Sequence, residues 1–388
     1  MPTTSADSSL IASHRVVDAD SLLTPCLLLS PDVVRENLAT MIDLAGGASR
    51  VRPHVKTHKC PGIVHLELAA GIDKHKCATL REAAMLAACG VPDVLIAYPL
   101  IGPAVRKLRE LCEQFPATRF MTLVDSPAAA QQLDSVFART GRRIDVMLDI
   151  DTGLHRTGVP ADQRAVELYA ALSDYRHLHV RGMQIYDGQH HMPSRDERCS
   201  AVQSLMEAVV QVLTAVRRAG HEVATLVCGG TPTFSFFAAV EIPAFSGELE
   251  CSPGTCVLHD ANYARLFDDL HPFRYACSLL TRVVSKPVAG CVTLDLGYKA
   301  VASDAPLTHR AVFPELPDAT IVSHHEEHMV VRCRAADELA VGAVLHAVPG
   351  HVCPTVALHD AFQIVANGRV TASWPITRDR YYRLESTA

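Results

Sequence analysis

Residues 52–61 read RPHVKTHKCP, which crowds Arg52, His54, Lys56, His58 and Lys59 into ten positions. The chain as a whole is mildly acidic, with 36 basic and 42 acidic residues and a formal net charge of -6. A solvated strand is the plain explanation of such a basic cluster. The sharper one is a lysine held among cations, because crowding of that kind helps keep an amine unprotonated and nucleophilic. Lys56 is the candidate. Lys59 is the rival, expected to start the next helix and point away.

Other unusual residues fall in four short stretches. DIDTGLHRTG supplies Asp151, His155 and Arg156. YDGQHH supplies Tyr186, Asp187, His190 and His191. CGGTPT supplies Gly229, Gly230 and Thr231, and SPGT supplies Gly254 and Thr255. Any one glycine pair could be a tight turn. Together they suit a phosphate, because glycines let backbone N–H groups approach it and a threonine hydroxyl adds a donor. A phosphorylated cofactor that bonds to a lysine is pyridoxal phosphate, whose aldehyde condenses with an amine. A second constellation is PGHVCPT, where His351 and Cys353 stand two apart. On an extended strand both would point to one face, and imidazole and thiolate are good zinc ligands. A buried cysteine beside a hydrogen-bonded histidine is the ordinary alternative. His359 and the stretch SHHEEH at 323–328 are further candidates, the latter read mainly as solvated, with His328 structural.

These residues need a scaffold. Short apolar runs at 49–55, 76–80, 93–99, 119–125, 144–151, 180–187, 224–230 and 247–254 read as strands, with helical patterns between most of them. Ser126 and Pro127 form a helix start, and Gly71 a helix stop. Strand–helix alternation predicts parallel pairing, and eight such strands predict a (β/α)₈ barrel of TIM type. An open doubly wound sheet is the alternative, weakened because no GxGxxG follows the first strand. In such a barrel the chemistry sits at the C-terminal ends of the strands, and phosphate is commonly bound after strands seven and eight. The stretches quoted above fall there. Beyond about residue 270 the runs become short, β-branched and separated by Pro, Gly and Asn367–Gly368, which predicts an all-β segment with a hairpin.

Composition narrows the function. Hydrophobic residues make up 48% and charged residues 20%, enough for a large core and against disorder. An acidic balance argues against nucleic acid as a partner. Thirteen cysteines without a CxxC pair are expected to be reduced thiols in a cytoplasm. The N-terminus lacks the pattern of a secretory signal. VLIAYPLIGPAV is interrupted by Pro99 and Pro103, so no apolar run is expected to span a membrane.

Taken together, RPHVKTHK, RTGV, YDG, CGGTPT, SPGT, LDLGYKA and HVCPT with the later LHD resemble the family of D-threonine aldolases and eukaryotic-type D-serine dehydratases, over about residues 22 to 375. The resemblance implies an alanine-racemase-like barrel over 22–268 and a C-terminal all-β domain over 269–388, with 1–21 joining the β domain. It implies that Lys56 carries the cofactor, that Arg156 faces the pyridine nitrogen and that Tyr186 lies by the ring. Gly230, Thr231, Gly254 and Thr255 would surround the phosphate, and His351 and Cys353 would bind a divalent metal, Zn²⁺ or Mn²⁺. A cysteine ligand favours zinc. An arginine at the pyridine nitrogen leaves that nitrogen neutral, so the metal would compensate as a Lewis acid on the substrate hydroxyl.

The implied activity is retro-aldol cleavage of a D-3-hydroxy amino acid to glycine and an aldehyde. The alternative is dehydration of D-serine or D-3-hydroxyaspartate to a 2-oxo acid and ammonia. His190 and His191 offer bases for cleavage. Cys353 points the other way, since aldolases of this family often carry aspartate there. A non-catalytic pyridoxal-phosphate-binding protein is the remote alternative, and it would lack the β domain. Relatives pair head to tail, which implies a homodimer with shared active sites, each β domain closing the partner's barrel.

Overall fold

The structure is a computed structural model that describes residues 13–243 and 245–380. The first twelve residues of the expected 1–21 segment therefore lie outside the described residues. The chain divides into two compact units.

One unit comprises Met41–Lys56 and Glu67–Gly254. Its parallel sheet runs in the order Lys74–Cys77, Asp93–Pro99, Arg119–Val124, Ile144–Asp151, Leu178–Ile185, Thr225–Cys228 and Glu248–Cys251. The eighth member is the segment 51–54. Val51 bridges in parallel to Cys251, and His54 to Lys76. The N–H groups of Arg52 and His54 donate to the carbonyls of Cys251 and Pro253, each at 2.8 Å, and Lys76 N–H donates to Pro53 O at 2.9 Å. The sheet thus closes on itself as the predicted barrel. Pro53 has no N–H to give, so this member pairs through isolated bridges rather than a regular ladder. Leu95, Met121, Leu123, Met147 and Val227 form one of its buried clusters.

Local signals set the flanking helices. Ser126 accepts the Ala129 N–H and opens the helix Pro127–Phe137, which buries Ala129, Ala130, Leu133 and Phe137. Ser194 likewise caps Arg195–Arg218 by accepting the Glu197 N–H. By length and composition alone this last helix is long and apolar enough to cross a membrane, against the expectation that no run would be. Its Val202, Met206, Val209 and Val216 instead form a buried stripe at helical spacing.

The other unit holds the described part of Met1–Thr40 together with Thr57–Leu66 and Thr255–Arg378. Its mixed sheet runs in the order Thr320–His324, Met329–Arg332, Cys291–Leu294, Cys277–Ser285, Cys26–Leu29, Ala361–Ala366 and Arg369–Pro375, with Val344–Pro349 also pairing Cys277–Ser285. The predicted hairpin is present. Asn367 and Gly368, with φ of 51° and 72°, turn the chain between Ala361–Ala366 and Arg369–Pro375, as a type I′ turn requires. Residues 22–40, 57–66 and 255–268 fall in this unit. Leu27, Leu28 and Leu29 are fully buried, so their strand needs neighbours on both edges and cover on both faces. It finds Cys277–Ser285 antiparallel and Ala361–Ala366 parallel. Residues 13–21 attach here too, through His14 Nε2 on Ala276 O and Val17 N–H on Gly368 O.

Candidate active site

The basic cluster at 52–61 divides by function. Arg52 is 1% exposed. Its Nε lies 2.5 Å from Glu250 Oε2 and its Nη1 2.7 Å from Asp93 Oδ1. Against the cost of burial, these two carboxylates hold it protonated. His54 Nδ1 accepts the Lys56 N–H at 3.3 Å. Lys56 reaches the mouth of the barrel, where its Nζ lies 5.8 Å from the centroid of the Tyr186 ring. Lys59 belongs to the other unit, has φ of 48° and precedes the helix Pro61–Ala69 by two residues rather than starting it.

Tyr186 is the centre of the barrel mouth. Arg156 Cζ lies 5.3 Å from its centroid and Lys76 Nζ 5.6 Å, both within cation–π range. Asp151 shapes the loop that presents Arg156 by accepting the N–H groups of Gly153 and His155. A Cβ at Gly230 would come within 3.2 Å of the Tyr186 ring, so glycine is what lets the backbone approach there. Thr231 Oγ1 accepts the Gly254 N–H at 3.1 Å, tying the two predicted phosphate turns together. Thr233 Oγ1 donates to Asp187 Oδ1 at 2.9 Å, and His190 Nδ1 lies 3.1 Å from Asp187 Oδ2. With Nδ1–H on the carboxylate, Nε2 is the basic nitrogen of His190. His191 is exposed, and its backbone N–H rests on Gln189 O.

Sequence reasoning missed Lys76, Asp149 and Gln184. Lys76 is buried inside the barrel. Asp149 accepts from Thr157 Oγ1 and Gln184 Nε2, while Gln184 Oε1 is buried with no hydrogen-bond partner among the described residues. The available signal was the alternation in KHKC, which puts Lys74 and Lys76 on one face of a strand.

The other unit carries the second constellation. His351 and Cys353 do not lie on an extended strand. The strand Val344–Pro349 ends first, and His351 is the N-cap of the short helix Val352–Val356. Gly350 sits so close to His309 that a Cβ would meet its carbonyl oxygen at 1.8 Å, and the chain turns there. The two side chains are nonetheless brought together. The hydrogen bond from His351 holds the Cys353 thiol below its ordinary range in spite of burial. Burial opposes a charge on His351, but Cys353 and Asp304 outweigh it and raise His351 to about 9. His351 Nδ1 lies 2.5 Å from Asp304 Oδ2. Cys353 Sγ is 3.2 Å from Thr57 Oγ1 and 3.7 Å from Thr255 Oγ1.

A histidine with a carboxylate on Nδ1 and a thiolate-prone cysteine beside it fits a divalent cation. Among the described residues no group of three or more His, Cys, Asp or Glu is placed to hold a metal, so the pair offers two protein ligands. His359 is spoken for by Ala300 O at 2.7 Å. In SHHEEH, the exposed Glu326 and Glu327 pair with Lys299. In the barrel unit, a lysine amine, two further cations about one ring and a glycine-backed turn fit an anionic aldehyde cofactor.

Comparison with known proteins agrees with this chemistry. The chain matches the alanine racemase N-terminal domain over residues 29–246 and a putative serine dehydratase domain over residues 276–365. It is 31% identical to the D-threonine aldolase of an Arthrobacter sp. over 364 residues, 93% of each chain. It is 28% identical to the D-threo-3-hydroxyaspartate dehydratase of Delftia sp. (strain HT23), over 92% of this chain and 98% of that one. The crystal structure of D-threonine aldolase from Filomicrobium marinum matches with a TM-score of 0.84 at 31% identity, covering 93% of this chain and 96% of that one. With both domain models matched in order and the relatives aligned along nearly their whole length, the chain belongs to the D-threonine aldolase and eukaryotic-type D-serine dehydratase family, pyridoxal-phosphate lyases of alanine-racemase-like fold.

Proposed function

We propose that the protein cleaves D-3-hydroxy amino acids of the D-threonine type into glycine and an aldehyde, using pyridoxal phosphate and a divalent metal. The observation that carries this reading is His190. Asp187 engages its Nδ1, so Nε2, 3.4 Å from Gln189 Nε2, is the acceptor nitrogen on the loop that follows Tyr186, and cleavage needs a base for the hydroxyl proton. His191 is the weaker candidate, because partial burial of its ring outweighs the nearby Asp187 and lowers its pKa. Pyridoxal phosphate, when bound, supplies the electron sink for charge developing at Cα. Lys56 would carry it, Arg156 and Tyr186 would hold its ring, and Gly230, Thr231, Gly254 and Thr255 its phosphate. His351 and Cys353 would hold the metal, which supplies Lewis acidity toward the substrate hydroxyl. The thiolate ligand favours zinc over manganese.

Cys353 also supports a second reading, elimination of water from the same substrates to give a 2-oxo acid and ammonia. Incubation of the loaded protein with D-threonine separates the two. Aldol cleavage gives glycine and acetaldehyde in equal amounts; dehydration gives 2-oxobutanoate and ammonia; a mere cofactor carrier gives neither. The assembly in this reading is a homodimer with shared active sites, in which each β domain closes the partner's barrel. Mixing Lys56→Ala with His351→Ala chains should then restore some activity, and none after verified subunit exchange would overturn the shared site. Thirteen cysteines, all without disulfide partners, support a reducing, cytoplasmic location.

A further inference from the structure

The strand Lys74–Cys77 places two lysines on one face. Lys74 is satisfied, with Glu248 at 2.7 Å and Glu250 at 2.9 Å. Lys76 is not. It is 3% exposed, and among the described residues its ammonium has no side-chain hydrogen bond or ion pair; its recorded neighbour is the Tyr186 ring at 5.6 Å. A buried ammonium without a partner is costly, and the usual resolution is that it gives up its proton.

The groups that act on Lys76 can be named. Lys56 and Arg52 repel a charge on it, while Asp149 and Cys228 favour one. Arg156 faces the same aromatic ring. Asp149 is already shared between Thr157 and Gln184. Burial first, and the Lys56 charge second, bring Lys76 down to about 7. Lys56 Nζ lies 5.8 Å from the ring that Lys76 faces, and both heads ride on flexible four-carbon stems.

We propose that Lys76 is the proton acceptor that readies Lys56 for its cofactor, a positioning residue that acts through Lys56. This rests on the reading of the barrel mouth as a pyridoxal phosphate site. The neutral Lys76 amine takes one proton from the Lys56 ammonium. The freed Lys56 nitrogen attacks the cofactor's aldehyde carbon, a carbon–nitrogen bond forms, and the carbonyl oxygen leaves as water with the two hydrogens of the Lys56 amine. The Lys76 ammonium that results is no longer unpartnered, because an anionic cofactor now lies in the same pocket. No oxidant, reductant or further reactant is needed.

Stopped-flow mixing of cofactor-free protein with pyridoxal phosphate between pH 6.5 and 9 tests this, read as growth of the visible absorption band. The wild-type rate should reach a plateau just above pH 7, because the acceptor Lys76 is then neutral. Lys76→Met should lack the plateau, be at least about tenfold slower at pH 7.5, and gain rate continuously up to pH 9. Lys76→Arg keeps the charge but cannot give up its proton, so it should be equally slow. A wild-type plateau retained in Lys76→Met, or a normal rate in Lys76→Arg, overturns the proposal. Circular dichroism checks folding, with Lys76→Gln measured in place of a variant that fails it. If wild-type protein forms no visible band, the cofactor reading itself fails; if the band forms at Lys56 with the same pH profile in every variant, only the role of Lys76 does.

Discussion

In the layer of the barrel nearest the N-terminal ends of its strands, Arg52 is closed in by Glu250 and Asp93, and Lys74 by Glu248 and Glu250. Toward the other end, on the same segments of chain, Lys56 and Lys76 meet with Arg156 about the Tyr186 ring. Both layers are rich in cations, but only the first holds enough carboxylates to pair them. Paired buried charge is architecture. Basic groups gathered without matching anions, with Lys76 buried, Lys56 half-buried and Arg156 exposed, have a binding site's composition, because the missing negative charge must come from a ligand.

The largest effect expected from breaking this contrast comes from Lys56→Ala. It should lower activity by at least about 10³-fold and abolish the visible band, with the far-ultraviolet circular dichroism unchanged. In the paired layer, Arg52→Met should instead cost stability, by about 3 kcal/mol in a denaturant titration, since it takes one of two cations from each of two buried carboxylates, leaving Glu250 with Lys74 and Asp93 with Arg119. Lys76→Met should do the reverse and stabilise the cofactor-free protein at pH 7. The folded pKa of Lys76, about 7, lies below its ordinary 10.5, so the folded state binds fewer protons than the unfolded state between those values. The stability from this group is therefore complete only above 10.5 and is lost as pH falls toward 7, at about 1.4 kcal/mol per pH unit. Lys76→Met should flatten the measured slope between pH 7 and 9.

Smaller effects sharpen the picture. Asp304→Asn should weaken metal binding by about 10–100-fold in a chelator competition and leave the cofactor band as it was, because the hydrogen bond it weakens is the one to His351. Gly230→Ala should cost about 1 kcal/mol of cofactor affinity, since its Cβ would sit 3.2 Å from the Tyr186 ring and that ring must give way. Equilibrium titration with pyridoxal phosphate measures it.

Much of the barrel was legible because its strands are apolar runs punctuated by turn residues, and the observed strands Asp93–Pro99 and Ile144–Asp151 coincide with the predicted runs. Lys56, Tyr186 and the glycine turns were legible because they fall where such strands end. Lys76 was not, because KHKC reads as a solvated strand unless the barrel's interior is known to be lined with charge. The place of Cys26–Leu29 was hidden for another reason. Its partners Cys277–Ser285 and Ala361–Ala366 are distant in sequence, and no local pattern encodes a long-range pairing. His351 and Cys353 were found as types, but their turn into a short helix depends on the close approach of Gly350 to His309. Asp304 carries no signature, being joined to His351 only in space.

The claim that the unpaired cations of the barrel mouth await pyridoxal phosphate on Lys56 is tested most directly by borohydride reduction of the coloured protein, proteolysis and mass mapping of the modified peptide. The pyridoxyl label should appear on Lys56, at close to one per chain. A label confined to Lys76 or Lys59, or protein that takes up none, would contradict the account.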